Sequence, residues 1–360
     1  MYFKQIELKN FRNYKDQKVE FDPKLNLILG DNAQGKTNLL ESLFIMGLGK
    51  SFKTNNDKEM IAFGEKIARA KCVVGEEGEP DTEIEIAYST EGKLIKVNGI
   101  KLLRNVDLLE NIYVVIFSPE DLKIVKDGPD LRRRFLDREL CQIKPVYYSD
   151  LGNYKKVLKQ RNTLLRDQND DIYLFDVFDE ALSDYGVRIV EERKKFIERL
   201  HGICKQIHSD ISSGKEELEI RYETATEDKL QFKTKLRDSF KNDILRGYTG
   251  FGPHKDFLSI KVNGKDIRVY GSQGQQRTAA LSLKLAEIEL IKQETGHNAV
   301  LLLDDVLSEL DTNRQRYLIE TMKDVQIFVS ATGIEEELQK MLPKGNVYIV
   351  DNGKVNLYNR

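Results

Sequence analysis

Cysteine is scarce in this 360-residue chain. Cys72, Cys141 and Cys204 are odd in number and lie 141 − 72 = 69 and 204 − 141 = 63 residues apart. That suits neither a disulfide framework nor a zinc site and points to a reducing cytosol. Long apolar runs are also missing, since none approaches the roughly 18 residues needed to span a bilayer. The N-terminus (Met1, Tyr2, Phe3, Lys4) alternates like a strand and lacks the apolar block of a signal peptide. No membrane partner is expected, and the expected location is cytoplasmic. Charge of one sign is absent: 57 Lys and Arg against 59 Asp and Glu give 57 − 59 = −2. This excludes a histone-like polycation but leaves room for a local basic face. Disorder is excluded as well, because 40% of the residues are hydrophobic.

The length predicts two lobes. Residues 1 to about 118 read mainly as strands. Asn-Gly pairs at 98–99, 263–264 and 352–353 each predict a tight hairpin. From Pro129 to about Ser213 the pattern becomes helical. Phe178, Leu182, Tyr185, Ile189, Phe196, Leu200, Ile203, Ile207 and Ile211 mark one long helix or two in succession. Leu151, Tyr154, Leu158 and Leu165 mark another. Buried strands return at Ala299–Leu303 and Ile327–Val329.

The segment Gly30, Asp31, Asn32, Ala33, Gln34, Gly35, Lys36, Thr37 fits G-x-x-x-x-G-K-T, with an apolar strand before it and a helical run after it. Its glycines let backbone N–H groups approach phosphate, and the helix start adds partial positive charge. Lys36 supplies a point charge to the terminal phosphates, and the Thr37 hydroxyl a ligand for Mg²⁺. ATP and Mg²⁺ are the expected cofactors. A glycine turn with an exposed lysine is the plain alternative. Residues 299–303 run into Asp304 and Asp305. Two carboxylates after five apolar residues are costly unless they face a cation or water. Asp304 is placed to hold Mg²⁺ opposite Thr37, and Asp305 to orient or deprotonate an attacking water. A helix-capping acidic pair is the alternative.

Gly271, Ser272, Gln273, Gly274, Gln275, Gln276 and Arg277 precede an amphipathic run, which alone reads as an ordinary N-cap. The order of motifs adds more. Phosphate loop, Ser-Gln-Gly-Gln, acidic strand end, then Ser308, Glu309, Leu310, Asp311 is the order of the ABC-type ATPases, whose signature is Leu-Ser-Gly-Gly-Gln. Here Gly271 and Gln273 depart from it, while Ser272, Gly274 and Gln275 match.

Four further stretches carry a closer resemblance. They are Leu8 to Tyr14 (Leu-Lys-Asn-Phe-Arg-Asn-Tyr), Lys36 to Glu41 with Gly49, Lys50, Ser51 and Phe52, Ser118 to Leu122 (Ser-Pro-Glu-Asp-Leu), and Gly250 to His254 (Gly-Phe-Gly-Pro-His). From end to end the chain resembles the RecF family of bacterial recombination-repair proteins. The resemblance implies an α/β fold: a P-loop NTPase, ABC-type ATPase head related to SMC proteins, with an inserted helical lobe. Residues 1–120 and 270–360 would form the ATPase lobe, and residues 121–269 the helical one, with the signature at its C-terminal junction. It also implies ATP-dependent homodimerisation on DNA, weak ATPase activity, and help in placing RecA at gaps with RecR and RecO. In this class Ser272, Gln273, Gly274 and Gln275 meet the nucleotide of the other subunit, and Ser308 and Asp311 lie in the D-loop. Two departures predict slow hydrolysis. Asp305 stands where Glu is common, and Ser330, Ala331 and Thr332 follow the last core strand without a histidine.

The DNA candidates are Arg132, Arg133 and Arg134, with Lys155, Lys156, Lys159 and Arg161, against the alternative of a solvated helix face. Arg193, Lys194 and Lys195 follow Glu191 and Glu192 and read as intrahelical ion pairs. His254 reads as structural or close to DNA. Two other functions compete. A transporter nucleotide-binding subunit would carry the missing histidine and a coupling groove. An SMC-type structural ATPase would split the head motifs by hundreds of coiled-coil residues, whereas Lys36 and Ser272 lie 272 − 36 = 236 apart.

Overall fold

The computed structural model describes residues 1–226, 228–333 and 341–358. In chain order the strands and helices are β1 (Tyr2–Phe11), β2 (Tyr14–Glu20), β3 (Leu25–Leu29), α1 (Lys36–Leu48), β4 (Ile67–Glu76), β5 (Glu79–Ser89), β6 (Gly92–Val97), β7 (Ile100–Lys101) and β8 (Val114–Phe117). There follow α2 (Leu122–Lys126), α3 (Pro129–Ile143), α4 (Pro145–Arg166), α5 (Ile172–Ile211), β9 (Leu218–Glu223), α6 (Lys229–Arg246), β10 (Phe257–Val262), β11 (Lys265–Asp266) and α7 (Ile267–Tyr270). The chain continues with α8 (Gln273–Thr295), β12 (Val300–Asp304), α9 (Thr312–Thr321), β13 (Ile327–Ala331), β14 (Asn346–Asp351) and β15 (Lys354–Leu357).

Two compact units result, Met1–Leu122 with Ala280–Arg360, and Lys123–Ala279. The return to the first unit falls inside α8, later than residue 270, so the Ser-Gln-Gly-Gln segment belongs to the inserted unit.

The first unit holds two sheets. One is antiparallel, in the order β2-β1-β4-β5-β6-β7. The other, β15-β14-β3-β13-β12-β8, is parallel except for its β15 edge. Its central strands β12 and β13 are buried almost throughout and mainly apolar, as strands covered on both faces tend to be, with Asp304 and Ser330 as polar exceptions near their C-terminal ends. Helix α1 packs against strands of both sheets. That explains why apolar residues ring it: Leu39, Leu40, Leu43, Phe44, Ile45 and Met46 are all buried. They join Ile6, Ile28, Ile86, Leu302 and Phe328 in one core. Strand β13 lies between β3 and β12, so the loops leaving β3 and β12 flank its C-terminal end. Crevices beside the carboxyl ends of parallel strands are where such sheets bind ligands.

The second unit is mainly helical, with a small sheet β11-β10-β9. The long apolar periodicity forms a single 40-residue helix, α5. All three Asn-Gly pairs make two-residue hairpins, in which Asn98, Asn263 and Asn352 adopt φ of 50°, 50° and 47°.

Candidate nucleotide site

The loop at residues 30–35 leaves β3 and enters α1 through Gly35, whose φ is 122°. A Cβ there would lie 2.5 Å from Asn13 Nδ2, so only glycine fits. The N-terminal stretch clasps this loop. Asn13 Nδ2 donates to Gln34 O at 2.8 Å, and the Tyr14 hydroxyl to Gly35 O at 2.8 Å. From the other side, the Asn352 N–H donates to Gln34 Oε1 at 2.7 Å. Lys36 is buried, and its ammonium donates to Gly30 O at 2.8 Å and Asp31 O at 3.1 Å.

Asp304 ends β12 opposite this loop. Its Oδ1 accepts from Thr37 Oγ1 at 2.9 Å and from Ser330 Oγ at 2.8 Å. Burial pushes the Asp304 carboxyl above its ordinary range against these two hydrogen bonds, and the neighbouring Asp305 pushes it the same way. Asp305 has a φ of 52°, a left-handed conformation costly for a side-chain-bearing residue. The Ser330 pair holds it there: Asp305 N–H donates to Ser330 O at 3.2 Å and to Ser330 Oγ at 3.0 Å. Ser330 therefore positions both acids. The sequence marks this position only by its lack of a histidine.

A second set of residues backs α1. Glu41 is fully buried and accepts two hydrogen bonds from Arg12, at 2.9 and 2.7 Å, and one from the Ser51 hydroxyl. The stretch 8–14, the α1 start and the Gly-Lys-Ser-Phe segment thus belong to one network. Lys53 is the residue that sequence reasoning missed. Its ammonium donates to Asn38 Oδ1 at 3.0 Å and lies 3.9 Å from Glu41. Burial lowers its pKa, while the charges of Glu41 and Asp304 raise it. It therefore puts a cation in the field of Asp304, and only its place next to the Ser51–Phe52 stretch hints at that.

The donors fit Mg²⁺ and a phosphate chain. Thr37 and Asp304 offer two hard oxygens, and no group of three or more His, Cys, Asp or Glu that would hold a metal occurs among the described residues. A cation here takes its remaining ligands from phosphate and water, as Mg²⁺ prefers.

The D-loop candidates have local partners. Ser308 Oγ donates to Asp305 O at 2.9 Å, and Asp311 caps α9 by accepting from Arg314 N–H at 3.1 Å. In the inserted unit, Ser272 and Gln275 form a reciprocal cap: Ser272 N–H donates to Gln275 Oε1 at 3.0 Å, and Gln275 N–H to Ser272 Oγ at 3.2 Å. Ser272 and Gln273 are exposed, and Gly274 and Gln275 are half-buried.

The basic candidates divide. Arg132 is 1% exposed and donates to Ile124 O, Val125 O and Leu258 O. It therefore cannot reach a DNA phosphate. Arg161 is equally buried against Asp179 and Asp243. Arg193 is no intrahelical pair partner either, because its guanidinium is buried on Asp137, Tyr147 and Pro253 O. Lys195 does pair with Glu191 and Glu192. Arg134, Lys155, Lys156 and Lys159 are exposed, and Arg133 is mostly covered by its bond to Asp256 O.

A family model described as the RecF/RecN/SMC N terminal domain matches residues 2–355. A relative named DNA replication and repair protein RecF from Clostridium novyi (strain NT) is 45% identical over 361 residues, covering 99% of this chain and all of the relative. The chain belongs to the RecF family. The RecF of Clostridium perfringens (strain SM101 / Type A) is 42% identical over 360 residues, covering 99% of both chains. A solved RecF–ATP structure, described as a recombination mediator in the RecFOR pathway, is 38% identical, with a TM-score of 0.92 over 99% of this chain and 98% of that one. An SMC head bound to the C-winged helix domain of ScpA matches with a TM-score of 0.57 at 16% identity, covering 99% of this chain and 97% of that one. It shares the fold alone, that of an ABC-type ATPase head. These matches decide against a transporter subunit. No described helix is long and apolar enough to cross a membrane.

Proposed function

We propose that this chain is an ATP-gated DNA-binding switch of DNA replication and repair, acting in the cytoplasm. Lys36 and the backbone N–H groups of residues 30–37 hold the phosphates, and Thr37 and Asp304 hold Mg²⁺. Bound there, Mg-ATP supplies a terminal phosphoryl group that both copies of a dimer can grip and a bond whose cleavage withdraws it. Ser272, Gln273, Gly274 and Gln275 of a second copy reach that group from the other side, with Ser308 and Asp311 nearby. Differential contacts of this kind are what let one phosphate shift an equilibrium between open and closed forms. Asp305 orients the attacking water and takes its proton. One methylene shorter than Glu and with no imidazole beside it, it makes the weak, DNA-stimulated ATPase slow enough to time the clamp. The closed pair grips duplex, gapped or junction DNA through phosphates, and with RecR and RecO it helps place RecA at single-strand gaps.

The observation that carries this reading is the 2.9 Å contact between Thr37 and Asp304, residues 267 positions apart. The test is sedimentation of variants with ATP and Mg²⁺. Lys36→Met should neither bind ATP nor dimerise, whereas Ser272→Arg should bind ATP and stay monomeric. A Ser272→Arg protein that still dimerises removes the trans arrangement.

A further inference from the structure

The inserted unit carries a cleft of about 320 Å³ that none of these roles uses. Its lining includes Arg133, Arg134, Lys155 and Arg193 against Asp130 and Asp137. Four cations and two carboxylates give 4 − 2 = +2. The histidine in the lining adds no charge. His254 is half-buried, its Nδ1 accepts from the Tyr154 hydroxyl at 2.7 Å, and its Nε2–H donates to Thr249 O at 2.9 Å. Burial lowers its pKa to about 4, so it is neutral at working pH. The same histidine accounts for the Gly-Phe-Gly-Pro-His segment. It ties the loop to α4, and a Cβ on Gly252 would lie 2.4 Å from the Tyr154 hydroxyl oxygen.

The cations differ in what they have left to offer. Arg193 is spent on Asp137, Tyr147 and Pro253 O and forms part of the wall. Asp137 stays ionised: burial would raise its pKa, but Arg193 and Lys155 outweigh it. Lys155 donates one long hydrogen bond, 3.2 Å, to Asp137. Arg134 is exposed, and its guanidinium makes no hydrogen bond or ion pair among the described residues. Its planar fork of donors suits a tetrahedral anion. Helix α3 also begins here without a side-chain cap, so its first N–H groups add positive potential.

We propose that this cleft binds a single phosphate group, separately from the nucleotide loop, with Arg134 and Lys155 as its ligands on a floor fixed by Arg193 and His254. The phosphate belongs either to a nucleic-acid strand, a source that rests on the DNA-binding reading above, or to a small phosphate ester, which does not.

The test uses the full chain carrying Lys36→Met, so that the loop lysine contributes nothing. Inorganic phosphate binding is followed by ³¹P line broadening, and binding of a short labelled duplex by fluorescence anisotropy. Arg134→Glu should weaken phosphate binding about tenfold or more, and Lys155→Glu by a smaller factor. Lys241→Glu, the same charge change at an exposed site outside the cleft, should change it less than about twofold. Loss in both arms assigns the cleft to strand phosphate, and loss with inorganic phosphate alone assigns it to a small ester. Phosphate binding by Arg134→Glu equal to that of Lys241→Glu overturns the proposal, whatever the duplex does. Dimerisation with ATP is read separately on the unmutated chain, so either idea can fail alone.

Discussion

His254 makes the stability of the inserted unit sensitive to acid in a way that can be calculated. Its folded pKa of about 4 lies below the ordinary 6.5, because burial penalises the imidazolium. Between pH 7 and pH 5 the unfolded chain takes up a proton at this residue and the folded chain does not. Stability is therefore full above about pH 6.5 and falls as the pH drops towards 4. At pH 5 the gap from 6.5 is 1.5 units, and at 1.36 kcal/mol per unit the loss is about 2 kcal/mol. The perturbation that isolates it is His254→Gln. The glutamine amide can still accept from Tyr154 and donate to Thr249 O, yet carries no proton to titrate. Urea unfolding at pH 7 and pH 5, followed by circular dichroism, gives the double difference. The wild type should lose about 2 kcal/mol more than the variant on acidification. Equal losses would show that this imidazole is not held neutral by the fold and would refute the reasoning.

Arg132→Met should cost about 2–4 kcal/mol in urea unfolding, because three buried carbonyl oxygens lose their donor. Arg134→Met should stay within about 0.5 kcal/mol of wild type; a similar cost at both positions would contradict the difference in burial. Asp304 carries a folded pKa above its unfolded value, so its ionised form is a burden on the fold that acid relieves. Asp304→Asn should therefore not lower the thermal midpoint at neutral pH, yet should abolish ATP-driven dimerisation. A clear drop in the midpoint would overturn that sign.

Much of this was legible in the sequence where a motif is local. The phosphate loop, the Asn-Gly hairpins and the long amphipathic helix each depend on residues a few positions apart, and propensity and period specify them. The meeting of Thr37 with Asp304 was also foreseeable, since the two chemistries need one cation between them. What could not be read was burial. Arg132 and Arg134 look alike in a run of three arginines, but the rotation of about 200° between them on α3 sends the first into the unit and leaves the last in water. Arg193 shows the same effect, because its neighbours in sequence suggested glutamates while the fold supplied Asp137. Ser330 was hidden differently. A small hydroxyl residue ending a strand carries no signature until β13 is seen between the two strands whose loops it joins.

The central claim is that one nucleotide is clasped by two copies of this chain. Sedimentation velocity of the unmutated protein, with saturating ATP and Mg²⁺ and then with ADP and Mg²⁺, each with and without duplex DNA, tests it most directly. The account predicts a dimer with ATP that reverts to monomer with ADP. A monomer under every condition, or the same dimer with either nucleotide, would contradict it.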